Sequence, residues 1–231
     1  MRSERQIAEA LAARARSLFE RGYTFSTGGN VSHRAAGGGL LVEASGTSLG
    51  RLGPGDFVRC DETGRAVDAS GAAPSKETPL HAAIYRARSE AQAVVHLHAP
   101  GAIALSCLAT PTDTGNVLPV VTPYAVMRVG RVPLLEYIAP GSARLASRVA
   151  EIAGSINAIL LQNHGLVAYG PTLDHAVDTA EELEQTIRIW LTTRGTARVL
   201  EDEELAACRP LFGATIEPGT QRPVLLPGAR L

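Results

Sequence analysis

The chain has 231 residues, 45% hydrophobic and 19% charged, with a formal net charge of −1. That is an ordinary composition for a soluble globular protein, and the length suits one large domain or two small ones. Near-neutrality without a Lys/Arg block excludes nucleic acid as the expected partner, and no apolar stretch approaches the length of a membrane span. Residues 1–5 lead into an amphipathic segment and not a secretory apolar region, so the cytoplasm is the expected compartment. The thiols Cys60, Cys107 and Cys208 are scattered, with no C-x-x-C pair, so neither a disulfide framework nor a zinc–thiolate site is expected.

In chain order, the spacing of Ile7, Leu11, Leu18 and Phe19 predicts a helix over residues 3–21, ended at Gly22. Thr27-Gly28-Gly29-Asn30-Val31-Ser32 reads as a tight turn. Short strands are expected at 40–43 and 56–59, with a second turn at Ser45-Gly46-Thr47-Ser48. A helix follows over 78–88, with Pro79 tolerated in its first turn. The run Ala93-Val94-Val95-His96-Leu97-His98 reads as a strand stopped at Pro100, followed by a helix over 101–109 in which Cys107 is expected as a small core residue. A proline-punctuated stretch spans 117–135. A helix at 142–153, strands at 158–162 and 166–169, and a long helix at 173–192 complete the pattern. From about residue 194 the chain is rich in Pro, Gly and Arg with weak periodicity, and a peripheral tail is expected. Helices alternate with strands, but some strand pairs have short connections, which argues for a mixed sheet flanked by helices. There is no repeat, low-complexity tract or linker, so residues 1–231 are read as a single domain.

The histidines carry the chemistry. On a strand, residues two apart face the same way, so the His96 and His98 Cα atoms lie about 7 Å apart and their imidazoles can converge on one ion at roughly 2.0–2.1 Å. His164 stands where the run Leu160-Leu161-Gln162-Asn163 breaks at Gly165, and Glu77 lies just upstream in Pro74-Ser75-Lys76-Glu77. An isolated H-x-H pair is equally well two half-buried rings bonded to backbone. Three of the six histidines at the ends of apolar segments favour a divalent metal, zinc first, with manganese or cobalt able to use the same ligands. The glycine turns and the segment before the 78–88 helix can each offer backbone N–H groups to an anion, and together they suggest a phosphate pocket. No nucleotide-binding glycine pattern occurs, and no nucleotide or organic cofactor is expected. His81, one helical turn after Glu77, reads as a surface residue or a support for the site, and His33 and His175 as structural. Tyr124 lies in an irregular apolar stretch, where a core tyrosine with a satisfied hydroxyl is the plain reading.

Taken together, Gly28-Gly29-Asn30, Ser45-Gly46, Ser75 with Glu77, His96-Leu97-His98 and Asn163-His164-Gly165 resemble the class II aldolase/adducin family in order and spacing, over roughly residues 3–192. The resemblance implies an α/β/α sandwich around a mixed, largely antiparallel sheet, and a homotetramer with sites between subunits. It implies His96, His98 and His164 as metal ligands, with Glu77 as a fourth ligand or the acid/base. It implies Gly29, Asn30, Ser45, Gly46 and Ser75 as holding a substrate phosphate, and Tyr124 as reaching a neighbouring subunit's site. The chain departs from aldolases of the fuculose-phosphate type at Lys76, where those carry a second serine. Ser75-Lys76-Glu77, residues 45–52 and residues 122–131 look more like the 3-oxo-tetronate 4-phosphate decarboxylase branch. That branch implies a small phosphorylated sugar acid as substrate and a lyase reaction through an enediolate; the Ser-Lys-Glu sequence within the anion pocket places Lys76 beside a substrate carboxylate or phosphate, and the three imidazoles make zinc the expected ion. A retro-aldol cleavage, a ketose-phosphate dehydration and a metal-free interaction module are the alternatives within the same fold.

Overall fold

The computed structural model describes residues 3–67, 71–113 and 115–212, with the backbone alone for 208–212. Seven strands form one sheet: β1 Asn30–Arg34, β2 Leu40–Glu43, β3 Phe57–Cys60, β4 Ala93–Leu97, β5 Leu134–Leu135, β6 Ala158–Leu161 and β7 Gly165–Gly170. Their spatial order is β3-β2-β1-β4-β7-β6-β5, so β4 is the central strand. Every neighbouring pair is antiparallel except β5 with β6. Among the described residues there are six α-helices: α1 Glu4–Glu20, α2 Thr78–Ala87, α3 Pro100–Leu108, α4 Ala143–Ile152, α5 Leu173–Thr192 and α6 Asp202–Phe212.

Alternation along the strands assigns the layers. Ala93, Val95 and Leu97 of β4 pack with α1, α3 and α5 through Leu11, Leu105 and Leu183. Val94 of β4 faces the other way, towards Ile84 of α2 and Val149 of α4. The result is the three-layer α/β/α sandwich, and it puts His96 on the α2 side of the sheet. Among the described residues no helix is long and apolar enough to cross a membrane.

Several sequence expectations are corrected. Residues 30–32, read as part of a turn, belong to β1, because Asn30 and Ser32 point into a buried polar cluster and not to solvent. Leu134–Leu135 is a strand by virtue of its parallel partner β6 and an antiparallel bridge from Leu134 to Thr112. The expected tail contains α6, whose Leu205 is buried with Val120, Ala125 and Val126 of a π-helical turn at Ala125–Val129. Residues 213–231 of that tail lie outside the described residues. Cys107, expected in the core, is exposed near the outer end of α3, whereas Cys60 is buried.

Candidate metal centre and anion cleft

The site lies where one end of the sheet meets the start of α2. His96 is the fourth residue of β4 and pairs with Asn30 of β1 on one side and Val167 of β7 on the other, so its ring is fixed from both flanks. Its Nδ1 lies 2.8 Å from the Leu166 carbonyl, which can only accept, so Nδ1 carries the proton there and Nε2 points into the site. His98 follows the strand on the same face. A Cβ on Gly28 would stand 2.9 Å from His98 Nδ1, so that glycine makes room for the ring. Gly29, at φ +79°, brings the loop against the sheet, where a Cβ would meet the His96 carbonyl at 2.7 Å. Thr24 secures this loop by donating to the Gly28 carbonyl at 2.7 Å. His164 sits in the tight turn from β6 to β7, with Asn163 at φ +57°. Glu77 is the N-cap residue of α2.

These four side chains converge. Each offers a ligand atom, and all four atoms lie within 4.8 Å of one another. His96 Nε2 is 3.2 Å from His164 Nε2 and 3.0 Å from Glu77 Oε2, and Glu77 Oε1 is 3.4 Å from His164 Nε2. The three ring centroids stand 4.7–5.0 Å apart. His98 Nε2 and Glu77 Oε1 are buried without a hydrogen-bond partner. Orphaned polar atoms of this kind are costly unless an ion satisfies them, and three imidazoles with one carboxylate are a donor set suited to zinc or its neighbours. The residues fit a divalent metal.

Electrostatics separates the members. Burial would raise the Glu77 carboxyl, but the charge and hydrogen bond of His96, with His164 and Asn30, outweigh it and hold the group well below the usual carboxylate range. Burial lowers His96, yet Glu77 more than restores it and leaves it raised. His98 and His164 are each pushed down to about 4, by burial first and then by His96. Both are therefore neutral at physiological pH, the form that ligates metals.

Next to the cluster opens a cleft of about 380 Å³. Gly29, Asn30, Ser45, Gly46, Ser75 and Lys76 all line it, together with Glu77, His98 and His164. Thr27, Glu43, Thr47 and Pro140 also line it and were not singled out from sequence. Glu43 is the unexpected one. Where β2 peels away from β1, its carboxylate accepts the Val31 N–H at 2.8 Å, while its own carbonyl accepts from Ser75 N at 3.0 Å. Burial pushes this carboxyl up to about 8. Strand alternation alone would not have marked it, but a glutamate ending an apolar strand beside a glycine turn is a usable signal.

Two expectations shift position. Tyr124 is 57% exposed at the start of the π-helical turn and does not line the cleft of its own chain, so it is no core tyrosine. His81 is fully buried, not at the surface, and burial pushes it down to about 3.

A three-layer fold with a His₃Glu cluster beside a hydroxyl-rich cleft defines the class: residues 9–191 match the Class II Aldolase and Adducin N-terminal domain family, and the chain belongs to it. Among its relatives, 3-oxo-tetronate 4-phosphate decarboxylase of Escherichia coli (strain K12) is 40% identical over 207 residues, 89% of this chain and 96% of that protein. The crystal structure of YgbL from Klebsiella pneumoniae superposes with a TM-score of 0.85 at 37% identity, covering 90% of this chain and all of that one. An L-fuculose 1-phosphate aldolase superposes at 0.80 with 29% identity, covering 90% of this chain and 96% of that one.

Proposed function

We propose that this chain is a metal-dependent carbon–carbon lyase that decarboxylates 3-oxo-tetronate 4-phosphate to dihydroxyacetone phosphate and carbon dioxide. The observation that carries this reading is the convergence of Glu77, His96, His98 and His164 beside a cleft that presents Ser45, Ser75 and Lys76. The 40% identity to decarboxylases over most of both chains supports the substrate.

His96, His98 and His164, with Glu77, would hold the ion, and zinc is the choice such a donor set favours. A divalent ion bound there supplies Lewis acidity to the ketone and hydroxyl oxygens next to the bond that breaks. The chain's own groups bind and orient. Gly29, Asn30, Ser45, Gly46 and Ser75 would cradle the phosphate. Lys76 lines the cleft at its exposed side and would pair with a substrate carboxylate or phosphate. Loss of carbon dioxide leaves an enediolate, which needs a proton on carbon. Glu77 carries no proton while it serves as a ligand, so it would act as the acid only after leaving the cluster. Tyr124 is the other acid, acting from a neighbouring copy in a homotetramer.

The experiment is a coupled assay for dihydroxyacetone phosphate with parallel detection of carbon dioxide, using 3-oxo-tetronate 4-phosphate generated in situ and His96→Ala as the blank. Both products above the blank are expected. Turnover of a ketose 1-phosphate to an aldehyde instead would make the protein an aldolase, a reading that the superposition on L-fuculose 1-phosphate aldolase favours.

A further inference from the structure

A line of buried polar groups runs from the core to the cluster. The Tyr85 and Ser32 hydroxyls lie 2.8 Å apart, and Ser32 Oγ is 2.6 Å from His81 Nδ1. His81 Nε2 is 2.5 Å from Asn30 Oδ1, and Asn30 Nδ2 donates to Glu77 Oε2 at 2.9 Å. Asn30, Ser32, His81, Tyr85 and Glu77 are all buried.

The direction of every bond follows from the far end. A ligating carboxylate only accepts, so Asn30 must turn its NH₂ to Glu77 and its carbonyl to His81. That carbonyl also only accepts, so His81 Nε2 carries a proton in either charge state of the ring. In the neutral ring Nδ1 is then an acceptor for the Ser32 hydroxyl, whose oxygen is left to accept from Tyr85. The consequence at Glu77 is specific: the amide holds Oε2 where it stands 3.0 Å from His96 Nε2, which leaves Oε1 without a hydrogen bond at 3.4 Å from His164 Nε2.

We infer that Asn30 and His81 are positioning residues for Glu77, fixing the orientation of its carboxylate in the cluster. The inference rests on the metal-centre reading above. It is additional to the phosphate role that the family resemblance implies for Asn30, whose amide keeps a second N–H and lines the cleft. Supporting hydrogen bonds of this kind typically change metal affinity by about 10- to 100-fold.

The test measures zinc affinity of the full chain by competition with a chromophoric chelator, and inorganic phosphate affinity by calorimetry. Asn30→Ala and His81→Leu are each expected to weaken zinc by about 10- to 100-fold, and His81→Leu, outside the cleft lining, to leave phosphate affinity unchanged. The double variant is expected to be little weaker than either single one, since both break the same line of bonds. His81→Gln, which keeps a donor near the Nε2 position, is expected to restore most of the affinity. Ser45→Ala serves as the converse control, weakening phosphate and not zinc.

Unchanged zinc affinity in Asn30→Ala or His81→Leu would overturn the inference. So would additive losses in the double variant. A wild-type protein that takes up no zinc, manganese or cobalt would remove the metal-centre reading itself, a separate outcome. Thermal midpoints of the metal-free proteins check folding; should His81→Leu not fold, Asn30→Ala alone and combined with His81→Gln carry the comparison.

Discussion

His96 is the residue on which the site turns. It is the only member of the cluster that lies within a strand, and its Nδ1 is committed to backbone, so no other rotamer serves. His96→Ala is expected to abolish zinc uptake at micromolar metal while the metal-free protein still shows a cooperative thermal transition; metal analysis after gel filtration checks this. Glu43 gives a prediction with a sign. Its carboxyl is raised in the fold from 4.5 to about 8, so between those values the folded chain holds a proton that the unfolded chain has released. That contribution is complete below the lower value and is lost as pH rises through the window. Chelator-treated wild type is therefore expected to lose stability relative to Glu43→Gln between pH 5 and about 8; parallel thermal midpoints for the two proteins across that range would contradict it. The metal ligands were legible from sequence because imidazoles are rare and fall at the ends of apolar runs. Glu43 was missed, because its carboxyl enters the cleft only where β2 parts from β1, which strand alternation does not encode.

Elements hold these residues through close backbone approach. Gly29 combines a left-handed backbone with a Cβ position blocked by the His96 carbonyl, and that carbonyl belongs to the central strand and cannot give way cheaply. Gly29→Ala is expected to cost more than the roughly 1–2 kcal/mol of the backbone conformation alone, read from urea unfolding of the metal-free protein. A second device sits behind His98. Glu184 of α5, fully buried, accepts the Gly101 and Ala102 N–H groups at 2.8 Å each, capping α3 immediately after the histidine strand. Glu184→Ala would leave two donors and a void at that helix start, at an expected cost of about 2–3 kcal/mol with weakened zinc binding. Long amphipathic elements such as α1 and α5 were legible because their periodicity spans many residues. β1 was hidden by its inward-facing polar side chains, β5 by its length of two residues, and α6 because, among its described side chains, Leu205 alone is buried.

At the scale of the whole molecule, Phe25, Tyr124 and Tyr137 expose large side chains, each more than half accessible. A tetramer would cover surface of this kind, and sedimentation is expected to report a mass near four chains, with Tyr124→Phe assembling normally but turning over slowly. A monomer with full activity would exclude a shared site. Removing the metal is expected to lower the thermal midpoint, because an ion that binds only the native state at about 100 times its dissociation constant contributes roughly 2.7 kcal/mol.

The position of β4 in the centre of the sheet has a kinetic consequence. Its two neighbours, β1 and β7, come from opposite ends of the domain, and Glu77 arrives on a helix between them in sequence. None of the four donors can meet another through local folding alone, except His96 and His98. Such non-local pairing places loop closure before reward and makes folding slow. The full coordination set therefore comes into existence only when both flanks of β4 have closed, and the rate of tight zinc capture by a refolding chain should equal the rate of the last native pairing. The ion would act as a stopwatch for the finished sheet, not as a seed for it.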